Sequence, residues 1–406
     1  MSGTNLVELA TTNRSFYVPA FELRVRGAPL PRNVVRDVSE VTYEDGTDKV
    51  DGFTLAVANW DTTERRPKYI GLPAERAKDP NARLFEPGNE IQLLVGYQGD
   101  MRLMMTGFIT TLDVEFPEQG GSRMVAHGLN VLDRLRRRQY SWSWPDDGST
   151  GIRDSDVALA LARPPNDAQG RPGLGMRIRI DANARGREVA QPNIFMNNQY
   201  PIVFLLERAR RLGYEVTIDE EAAPGAATPE RILYFGPTTQ LSNIAYVLEW
   251  GRSLQSFRPV YSSAGQLYAV TVCGWDRRAK ARIEERVTLD TIPASELPNP
   301  DLIAVARSAN REDVVVDQPV GSVQEARRRA GDILRGQQHG MVTATGSTVG
   351  LPDLRAGRSV VIRGTGQPFD GRYFVTATRH TVNEQGYRTS FDAKRIGPEA
   401  KPGGGR

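Results

Sequence analysis

Three histidines, one cysteine and scattered carboxylates are the residues of this 406-residue chain that could support acid–base, nucleophilic or metal chemistry. A serine–histidine–aspartate arrangement is one candidate. His380 stands near Asp370 and Ser390 in the sequence, and such triads need only converge in space. The chain has no G-x-S-x-G nucleophile elbow. The sequence therefore favours a structural strand histidine at position 380.

The aspartates of the segment EDGTDKVDG are the candidate metal ligands. Asp45, Asp48 and Asp51 could offer oxygen atoms to a calcium ion. The segment lacks the bidentate glutamate that closes an EF-hand loop, and Asp45-Gly46 lies between two apolar runs, so a hairpin loop explains it better. A single cysteine, Cys273, excludes an intrachain disulfide framework and a multi-cysteine metal site, and its apolar neighbours indicate a small buried side chain. We expect no metal, no cofactor and no enzymatic activity.

Composition and charge exclude several classes of protein. The 52 basic and 49 acidic side chains leave a net charge of +3, which argues against a strongly basic nucleic-acid binder. No apolar run approaches the roughly 18 residues that span a membrane, and the first residues lack the basic and apolar regions of a signal peptide. The length exceeds a typical domain of about 100–200 residues, so two to four folding units are expected.

Short strands dominate the pattern of apolar residues. Apolar and polar side chains alternate at 21–25, 53–57 and 91–95, and more weakly near Met124. Alternation with period two is typical of half-buried strands. Glycine and proline, with 39 and 26 residues, are spread through the chain and indicate many turns.

Four segments show helical spacing of apolar residues. They are a short helix after Asp154, PIVFLLERARRLG from Pro201, LSNIAYVLEWG ending at Gly251, and a helix that Ser322 begins. The last has an S-x-x-E capping box formed by Ser322 and Glu325. Its outer face carries Arg327, Arg328, Arg329 and Arg335. This arginine face is either solvated or part of an interface.

These patterns predict a mainly β protein with an α+β insert. After an N-terminal segment at 1–15, residues 16–135 form a β-rich first region, the candidate first β-barrel domain. Residues 136–300 form a mixed α/β middle domain, and residues 301–397 form a leading helix followed by β-strands, the candidate second β-barrel domain. Residues 398–406 are polar and rich in glycine and proline, so they are expected to be a flexible tail.

The first and last regions repeat one pattern. Gly88 precedes Ile91 and Leu93, as Gly357 precedes Val360 and Ile362; Phe108-Ile109 corresponds to Tyr373–Val375. The turn Glu118-Gln119-Gly120 corresponds to Glu384-Gln385-Gly386, and each turn is followed by an arginine, Arg123 or Arg388. Either turn–strand–turn pieces simply look alike in β proteins, or the chain contains two related barrels. Two related barrels per chain would let a trimer present six similar surfaces on one ring.

The segment PFDGRYFVTATRHTVNEQGYRTSFDAKR resembles the C-terminal signature of phage late control gene D proteins, the baseplate hub proteins related to the hub part of VgrG. The signature is carried here by Phe369, Asp370, Gly371, Tyr373, Val375, His380, Gly386, Tyr387, Phe391 and Arg395. GQLYAVTVCGWD at 265–276 is similar to the β-hairpin of the family that ends in Gly-Trp-Asp. The predicted helical segments near 154 and 201 occur in the same order as in the family. In order, these pieces extend over nearly the whole chain.

The resemblance implies a homotrimeric hub of a contractile tail or injection system. Its two barrels per chain would form a short ring, with one end on the hexameric inner tube protein and the other on a central spike. The sequence has no oligonucleotide-fold or β-helix segment after the hub, so the resemblance implies a separate spike protein. Baseplate wedge or sheath-associated proteins would be further partners. The particle would be assembled in the bacterial cytoplasm, and nucleic acid would be met only by passage through the lumen.

Ten residues are candidates for assembly contacts. They comprise arginines of the last helix, a basic cluster, two tryptophans and the second repeated turn: Arg327, Arg328, Arg335, Arg134, Arg136, Arg137, Trp142, Trp144, Tyr387 and Arg388. The basic cluster either lines a lumen or attracts an acidic partner, or it is a solvated turn. The tryptophans are expected to be buried at a domain junction rather than exposed at an interface.

Two other functions stay open on sequence grounds. A cell-wall hydrolase at a tail tip would need a compact pocket holding two carboxylates with raised pKa values. A receptor-binding β protein would expose aromatic patches and form no ring.

Overall fold

The computed structural model describes residues 4–5, 18–47, 49–70, 80–148, 151–165, 167–182, 186, 188–212, 214–221, 230–237, 246–294, 297, 299–316 and 320–397. The predicted N-terminal segment, apart from Thr4–Asn5, and the predicted tail at 398–406 lie outside these residues. Among the described residues, no helix is long and apolar enough to cross a membrane.

The first unit is a β-barrel with one short helix, α1 at Arg32–Asp37. The two-residue strand β1 Thr4–Asn5 lies outside this unit and pairs with a strand of the last unit. The strands of the first unit are β2 Pro19–Val25, β3 Ala28–Pro29, β4 Val38–Gly46, β5 Gly52–Ala58, β6 Trp60–Asp61, β7 Arg66–Pro67, β8 Glu90–Tyr97, β9 Asp100–Glu115 and β10 Arg123–Asn130, of which β6 and β7 form a separate two-stranded sheet. Strands β4, β5, β10, β9, β8, β2 and β3 pair in that order. The predicted alternating residues Leu23, Leu55 and Leu93 all point into one buried core, as period-two strands require.

The middle unit mixes helices and strands. Its elements are β11 Tyr140–Trp144, α2 Asp154–Ala160, β12 Ile178–Ile180, β13 Ile194–Gln199, α3 Pro201–Leu212, β14 Tyr214–Glu221 and β15 Glu230–Pro237. Helix α3 spans the predicted segment, and Ile202, Leu205 and Ala209 are buried in a second core. That core also holds the stacked rings of Trp144 and Phe204.

The last unit combines a second barrel with a helix-covered sheet. Its elements are β16 Tyr246–Glu249, β17 Leu254–Tyr261, β18 Ala269–Asp276, β19 Ala281–Thr288, α4 Ile303–Ala309, β20 Glu312–Val315, α5 Val323–His339, β21 Val342–Val349, β22 Ser359–Arg363, β23 Gly371–Asn383 and β24 Gly386–Gly397. Strands β16, β22, β23, β24, β21 and β17 pair in that order, and a bridge between Trp250 and Leu254 links the two ends.

A third core joins this barrel to α5 and the sheet β19-β18-β20. The predicted boundary between residues 300 and 301 falls within it, while the division into domains remains a prediction. The prediction of a helix over LSNIAYVLEWG is wrong for Tyr246–Glu249, because these residues form strand β16 and pair with β22. Residues 241–245 of the same segment lie outside the described part of the chain. Tyr246, Val247 and Leu248 are all buried. A strand buried on both faces gives a continuous apolar run, which does not differ from a helix in sequence.

The two barrels are related, as the repeated sequence pattern predicts. The amide of Gly88 donates to the carbonyl of Ile109 at 2.7 Å, and the amide of Ile109 donates to Asn89 at 3.0 Å. In the second barrel, Gly357 donates to Val375 at 2.8 Å, and Val375 donates to Arg358 at 2.7 Å. Both glycines have positive φ angles, 93° and 88°, which favours glycine at these positions. Strands β8, β9 and β10 therefore correspond to β22, β23 and β24.

Strand β23 belongs to both barrels. One of its edges pairs with β22 through Gly371–Phe374 and then with β4 through Ala377–Asn383; a β-bulge lies between Val375 and Ala377. Bulges bend a strand and re-aim it, so the chain leaves one barrel and enters the other at this point. The paired strands of the two barrels consequently lie in one 14-stranded sheet.

Candidate functional site: a polar sheet face and a buried junction between the barrels

Eight strands of the two barrels form one uninterrupted antiparallel sheet. Their order is β17, β21, β24, β23, β4, β5, β10 and β9, and every neighbouring pair is antiparallel. One side of this sheet covers the two cores, and the other side faces away from them. We call the outward side the polar sheet face.

The polar sheet face is built mostly from polar and charged side chains that are exposed or half-buried, with a few small apolar residues among them. Its members are Ser256, Arg258, Val260, Thr343, Thr345, Arg388, Ser390, Asp392, Lys394, Arg379, Thr381, Asn383, Glu40, Glu44, Thr54, Ala56, Ala58, Arg123, Val125, His127, Thr111, Asp113 and Glu115. The register also places the buried Thr42 and Ser347 and the half-buried Val349 on this side. Aromatic side chains and leucines are absent from this set. A sheet face that is neither apolar nor covered suits contact with water or with a passing solute rather than with another core.

Charge is divided across the polar sheet face. The strands of the second barrel contribute four cations and one carboxylate: Arg258, Arg379, Arg388, Lys394 and Asp392. The strands of the first barrel contribute one cation and four carboxylates: Arg123, Glu40, Glu44, Asp113 and Glu115. The halves carry +3 and −3, and the ion pair of Arg379 with Glu44 at 3.2 Å crosses their boundary.

Both ends of the eight-stranded sheet have a free strand edge. Within the described residues, β17 pairs along its length with β21 alone, and Thr111–Glu115 of β9 pairs with β10 alone. Pro259 lies within β17, and proline in a sheet is typical of an edge strand. Because eight strands alternate in direction, the two edge strands run antiparallel to each other.

A buried polar network joins the two barrels beneath this sheet. The guanidinium of Arg355, in the loop between β21 and β22, donates to Asp45 Oδ2 at 2.7 Å and to the carbonyl of Met104 at 3.1 Å. It also contacts the Tyr43 hydroxyl, which donates to Asp51 at 3.0 Å. Asp45 accepts a further hydrogen bond from Thr378. One arginine of the second barrel thus holds two acidic groups of the first.

Burial shifts the pKa values in this network. The Asp51 carboxyl has a pKa raised to about 7, first by burial and then by repulsion from Asp45. Burial raises the pKa of the Tyr43 hydroxyl well above its usual value. Burial alone would lower the pKa of Arg355, but Tyr43, Asp45 and Asp51 outweigh it and raise that pKa. Arg355 therefore stays charged, and Asp51 is the group of the network that titrates near neutral pH.

His380 is a neutral structural residue of the same junction. Its Nε2 lies 3.0 Å from the carbonyl of Leu354, which can only accept, so Nε2 carries the proton. Its Nδ1 lies 2.8 Å from the Tyr387 hydroxyl and 3.1 Å from Thr389 Oγ1. Burial lowers the pKa of His380 to about 4. The expectation of a structural strand histidine agrees with this geometry.

The candidate triad does not assemble around His380. Thr389 is the residue directly opposite His380 in β24, so neighbouring Ser390 lies on the other side of the strand. The carboxylate of Asp370 accepts hydrogen bonds from Thr365 and Gly366 in its own loop. Neither residue is a partner of His380. In the calcium candidate, Asp45 is engaged by Arg355, and Asp48 lies outside the described residues. No cluster suited to a metal occurs in the described part of the chain.

The signature residues hold the second barrel together. Arg395 is fully buried and donates to both oxygens of Asp301, at 3.0 and 2.9 Å, and to Asn299. Gly371 has a φ angle of 145°, and a Cβ there would lie 2.5 Å from the carbonyl of Gly397. Tyr373 is buried and donates to the carbonyl of Phe369 at 2.7 Å. The signature is therefore explained by the fold of the barrel, without any reactive group.

The candidate arginines of α5 differ in exposure: Arg327 is exposed, and Arg335 is half-buried. Arg327 pairs with Glu285 at 2.6 Å, and Arg335 pairs with Asp332 at 2.7 Å. Arg328 is exposed. The cap agrees in part with the predicted capping box: Glu325 donates its amide to Ser322 Oγ, but its carboxylate accepts from Gly321 instead of Ser322. An interface role for Arg327, Arg328 and Arg335 stays a prediction.

The basic cluster lies at the end of β10, in the short helical turn Val131–Leu135 and just beyond it. The guanidinium of Arg134 lies over the Phe108 ring and donates to the carbonyl of Gly88. Arg136 pairs with Asp133 at 3.5 Å. Arg137 is exposed, with a contact to the carbonyl of Arg134 at 3.4 Å. Arg134 thus supports the first barrel, and the outward contacts of the other two stay predictions.

The remaining candidates divide between inside and outside. Trp144 is buried, as expected, and Trp142 is half-buried in the same core. Tyr387 is buried between the barrels, where its ring lies 5.8 Å from that of Tyr97, so its contacts are internal. Arg388 is exposed on the polar sheet face. Cys273 is half-buried, 3.9 Å from Arg282, and so is less enclosed than expected.

Sequence reasoning missed the residues that couple the barrels. Arg355 has no sequence pattern around it, and Tyr43 and Thr378 look like ordinary strand residues. The partners are separated by more than 300 positions, as in the contact of Arg355 with Asp45. Only the repeat of the two barrels hinted at a junction, without indicating which side chains form it.

A large cleft opens beside this junction. Its volume is about 1280 Å³, and it lies between the loops of both barrels and the middle unit. Asp51 and Arg355 line its polar wall, and Leu206, Tyr214 and Val216 line its apolar wall. The size exceeds that of most small-ligand pockets, which are about 300–1,000 Å³.

Comparison with known proteins identifies the fold. The model of the family described as the Alg8 N-terminal domain matches residues 204–384, less than half of the chain. The match begins inside α3 and ends in the turn after β23, so it corresponds to no structural unit. No curated protein matches the chain.

Solved structures match over nearly the full length. The tail protein from Neisseria meningitidis MC58 is 14% identical with a TM-score of 0.60, and the alignment covers 94% of this chain and 100% of that one. The 43 kDa tail protein of prophage MuSo2 from Shewanella oneidensis is 13% identical with a TM-score of 0.62, covering 93% and 98%. A chain of the lidded Francisella PdpA-VgrG complex is 11% identical with a TM-score of 0.50, covering 97% and 56%. At these identities the likeness shows that the chain has the fold of phage tail proteins.

Proposed function

We propose that the chain is a non-enzymatic hub of a contractile tail or injection system, in which three copies form a ring between a six-fold inner tube and a separate spike. The observation that carries the proposal is the eight-stranded sheet shared by two related barrels. A three-fold ring of such chains has six similar barrels, so it can match a six-fold tube contact for contact. The full-length likeness to two tail proteins supports the same assignment.

The polar sheet face is the proposed lining of the lumen. Three copies of the eight strands would close a ring of 24 strands. At about 4.8 Å between strands and a tilt of about 35–45°, such a ring measures roughly 45–50 Å between opposite backbones. Its lining would be hydrophilic and electrically balanced, with the +3 and −3 halves alternating around the circle. A balanced lining binds a passing polyanion weakly, as a conduit requires.

The free edges are the proposed contacts between copies. β9 of one copy would lie beside β17 of the next, and the alternation of strand direction is preserved across this boundary. Asp113 and Glu115 on β9 carry the opposite charge to Arg258 on β17. Pro259 removes one backbone donor from the β17 edge, so we expect side-chain contacts to contribute beside an incomplete ladder of hydrogen bonds.

Mass measurement tests this proposal. By mass photometry, the chain expressed with its tube and spike proteins should form a species whose mass is three times 44.9 kDa plus the mass of any bound partner. Substitution of Arg258→Glu should shift the population towards monomer, and adding Asp113→Arg and Glu115→Arg to it should restore the trimer. A chain that stays monomeric with both partners present would refute the ring.

The hydrolase alternative rests on one observation, the cleft that holds Asp45 and Asp51. Asp45 is buried and accepts from Arg355 and Thr378, so it is not free to act on a substrate in this cleft. The Asp51 carboxyl has a raised pKa, but the reaction needs a pair of carboxyl groups that can both reach the substrate. Dye release from labelled peptidoglycan by the wild type, abolished in Asp51→Asn, would instead support hydrolysis.

A further inference from the structure

We propose that the two repeated turns, Glu118–Gly120 and Glu384–Gly386, form the surface that contacts successive subunits of the six-fold tube ring. This inference rests on the proposed hub function and names the end of the molecule that meets the tube. It is carried by the positions of the turns in the shared sheet and by the charges that they present.

The register of the sheet places both turns at the same end. Strand β23 runs towards the turn at Glu384 and pairs with β4, where Asn383 lies opposite Glu40. Along the same row Glu40 lies opposite Ala56, Ala56 opposite Val125, and Val125 opposite Asp113. Strand β9 then runs past Asp113 to Glu115 and leads into the turn at Glu118. The two turns therefore emerge from the same edge of the sheet.

The turns present duplicated charges with no partner in the described residues. Glu118 and Glu384 are exposed, and so are Arg123 and Arg388, which follow them on the polar sheet face. Within the described part of the chain, none of the four forms an ion pair. Each barrel thus offers an unpaired glutamate at its tip with an unpaired arginine behind it. Two equal acid–base sets per chain give six per trimer, which is the number that a six-fold ring can contact equally.

The opposite end of the sheet is less equally repeated, because the corresponding loops there, 98–99 between β8 and β9 and 364–370 between β22 and β23, differ in length. Strand β10 ends there at Asn130 and leads to the middle unit. Strand β17 ends there at Tyr261, opposite Val342 of β21, and residues 262–341 are inserted between them. These inserted units occur once per chain, so they give three copies per ring. That end suits a three-fold partner, and the end with the repeated turns suits the tube.

Binding to tube rings tests the inference. The probe is the inner tube protein encoded with this chain, purified as hexameric rings and immobilised for biolayer interferometry. The hub variants are Glu118→Arg, Glu384→Arg and their double substitution, each first confirmed as a trimer by mass photometry. The matched control is Arg277→Glu, a charge reversal at an exposed position of the turn between β18 and β19 in an inserted unit.

We expect each glutamate reversal to weaken binding at least about tenfold, because it changes three contacts per ring at once, and the double substitution to weaken it more than about a hundredfold. The control should stay within about twofold of the wild type. Glutamate variants that bind as tightly as the wild type, or a control that weakens binding equally, would overturn the inference and leave the hub function standing. Wild-type trimers that fail to bind tube rings would instead remove the proposed function itself.

Discussion

Replacement of Arg355 by methionine should release the junction between the two barrels. The substitution keeps much of the apolar stem but removes the only cation shown in contact with Tyr43 and Asp45 in the described network. The side chains of Arg355 and Asp45 are 24% and 6% exposed. Removing one partner of a buried ion pair costs about 3–5 kcal/mol, and the partial exposure of Arg355 places this case near 3 kcal/mol. The loss of stability should be largest where β4 pairs with β23.

Hydrogen exchange measured by mass spectrometry can localise that loss. A decrease of about 3 kcal/mol in the free energy of local opening lowers amide protection by on the order of a hundredfold. The loss should appear in peptides that contain 40–46 and 377–383, with little change in the middle unit. The matched control is Arg252→Met, which breaks the exposed pair with Glu249 and should cost under about 0.5 kcal/mol.

A double substitution separates the ion pair from other effects. Asp45→Asn combined with Arg355→Met removes both charges, so its cost should be smaller than the sum of the single costs by more than about 1 kcal/mol. The reasoning would be refuted if Arg355→Met changed protection of the β4–β23 pairing by less than about threefold. Strictly additive changes in stability for the two substitutions would equally contradict a coupled ion pair between Arg355 and Asp45.

Of four further predictions, two concern pH, one concerns the repeated glycines and one concerns the middle core. The pKa of the Asp51 carboxyl is raised from 3.8 to about 7 in the folded protein, so the stability that this group contributes is lost as pH rises from about 4 to 7. At pH 8, the Asp51→Asn variant should therefore have a higher melting temperature than the wild type. The pKa of the His380 imidazole is lowered from 6.5 to about 4, so its contribution to stability is present above pH 6.5 and is lost as pH falls towards 4. At pH 5, ¹⁵N-histidine NMR should show a neutral ring protonated at Nε2. A charged ring at that pH would contradict the buried network. Gly88→Ala and Gly357→Ala should each destabilise by about 1 kcal/mol in urea unfolding because of their positive φ angles, whereas Gly336→Ala in α5, where a Cβ meets open space, should stabilise; equal effects at the three sites would contradict the assignment. Trp144→Ala should cost about 3–5 kcal/mol by leaving a cavity beside Phe204, while Trp275→Ala, at a tryptophan 55% exposed, should cost under about 0.5 kcal/mol, and similar losses of melting temperature for the two would contradict the packing.

Local patterns were sufficient to predict several strands and the helices at Asp154–Ala160, Pro201–Leu212 and Val323–His339. Alternation at Leu23, Leu55 and Leu93 placed three strands, because a half-buried strand exposes its period directly in the sequence. The equivalence of Gly88 and Gly357 was also readable, since a positive φ angle restricts the residue type. The strand at Tyr246–Glu249 was read as a helix because a short apolar run buried on both faces has no period of its own.

The junction and the assembly surface were beyond such patterns. The pairing of Arg355 with Asp45, and that of β23 with β4, joins positions more than 300 residues apart. A single sequence contains no signal for such contacts. The role of Tyr387 illustrates the difference: as part of the family-like signature it was a candidate for an interface between chains, and the structure places it in the interior.

The most direct test of the ring is a cryo-EM reconstruction of the hub with its tube and spike. We expect three chains around an axial pore lined by the polar sheet face, with β9 of each chain beside β17 of the next. A reconstruction in which this face points to the outside of the particle, or in which the chains enclose no pore, would contradict it.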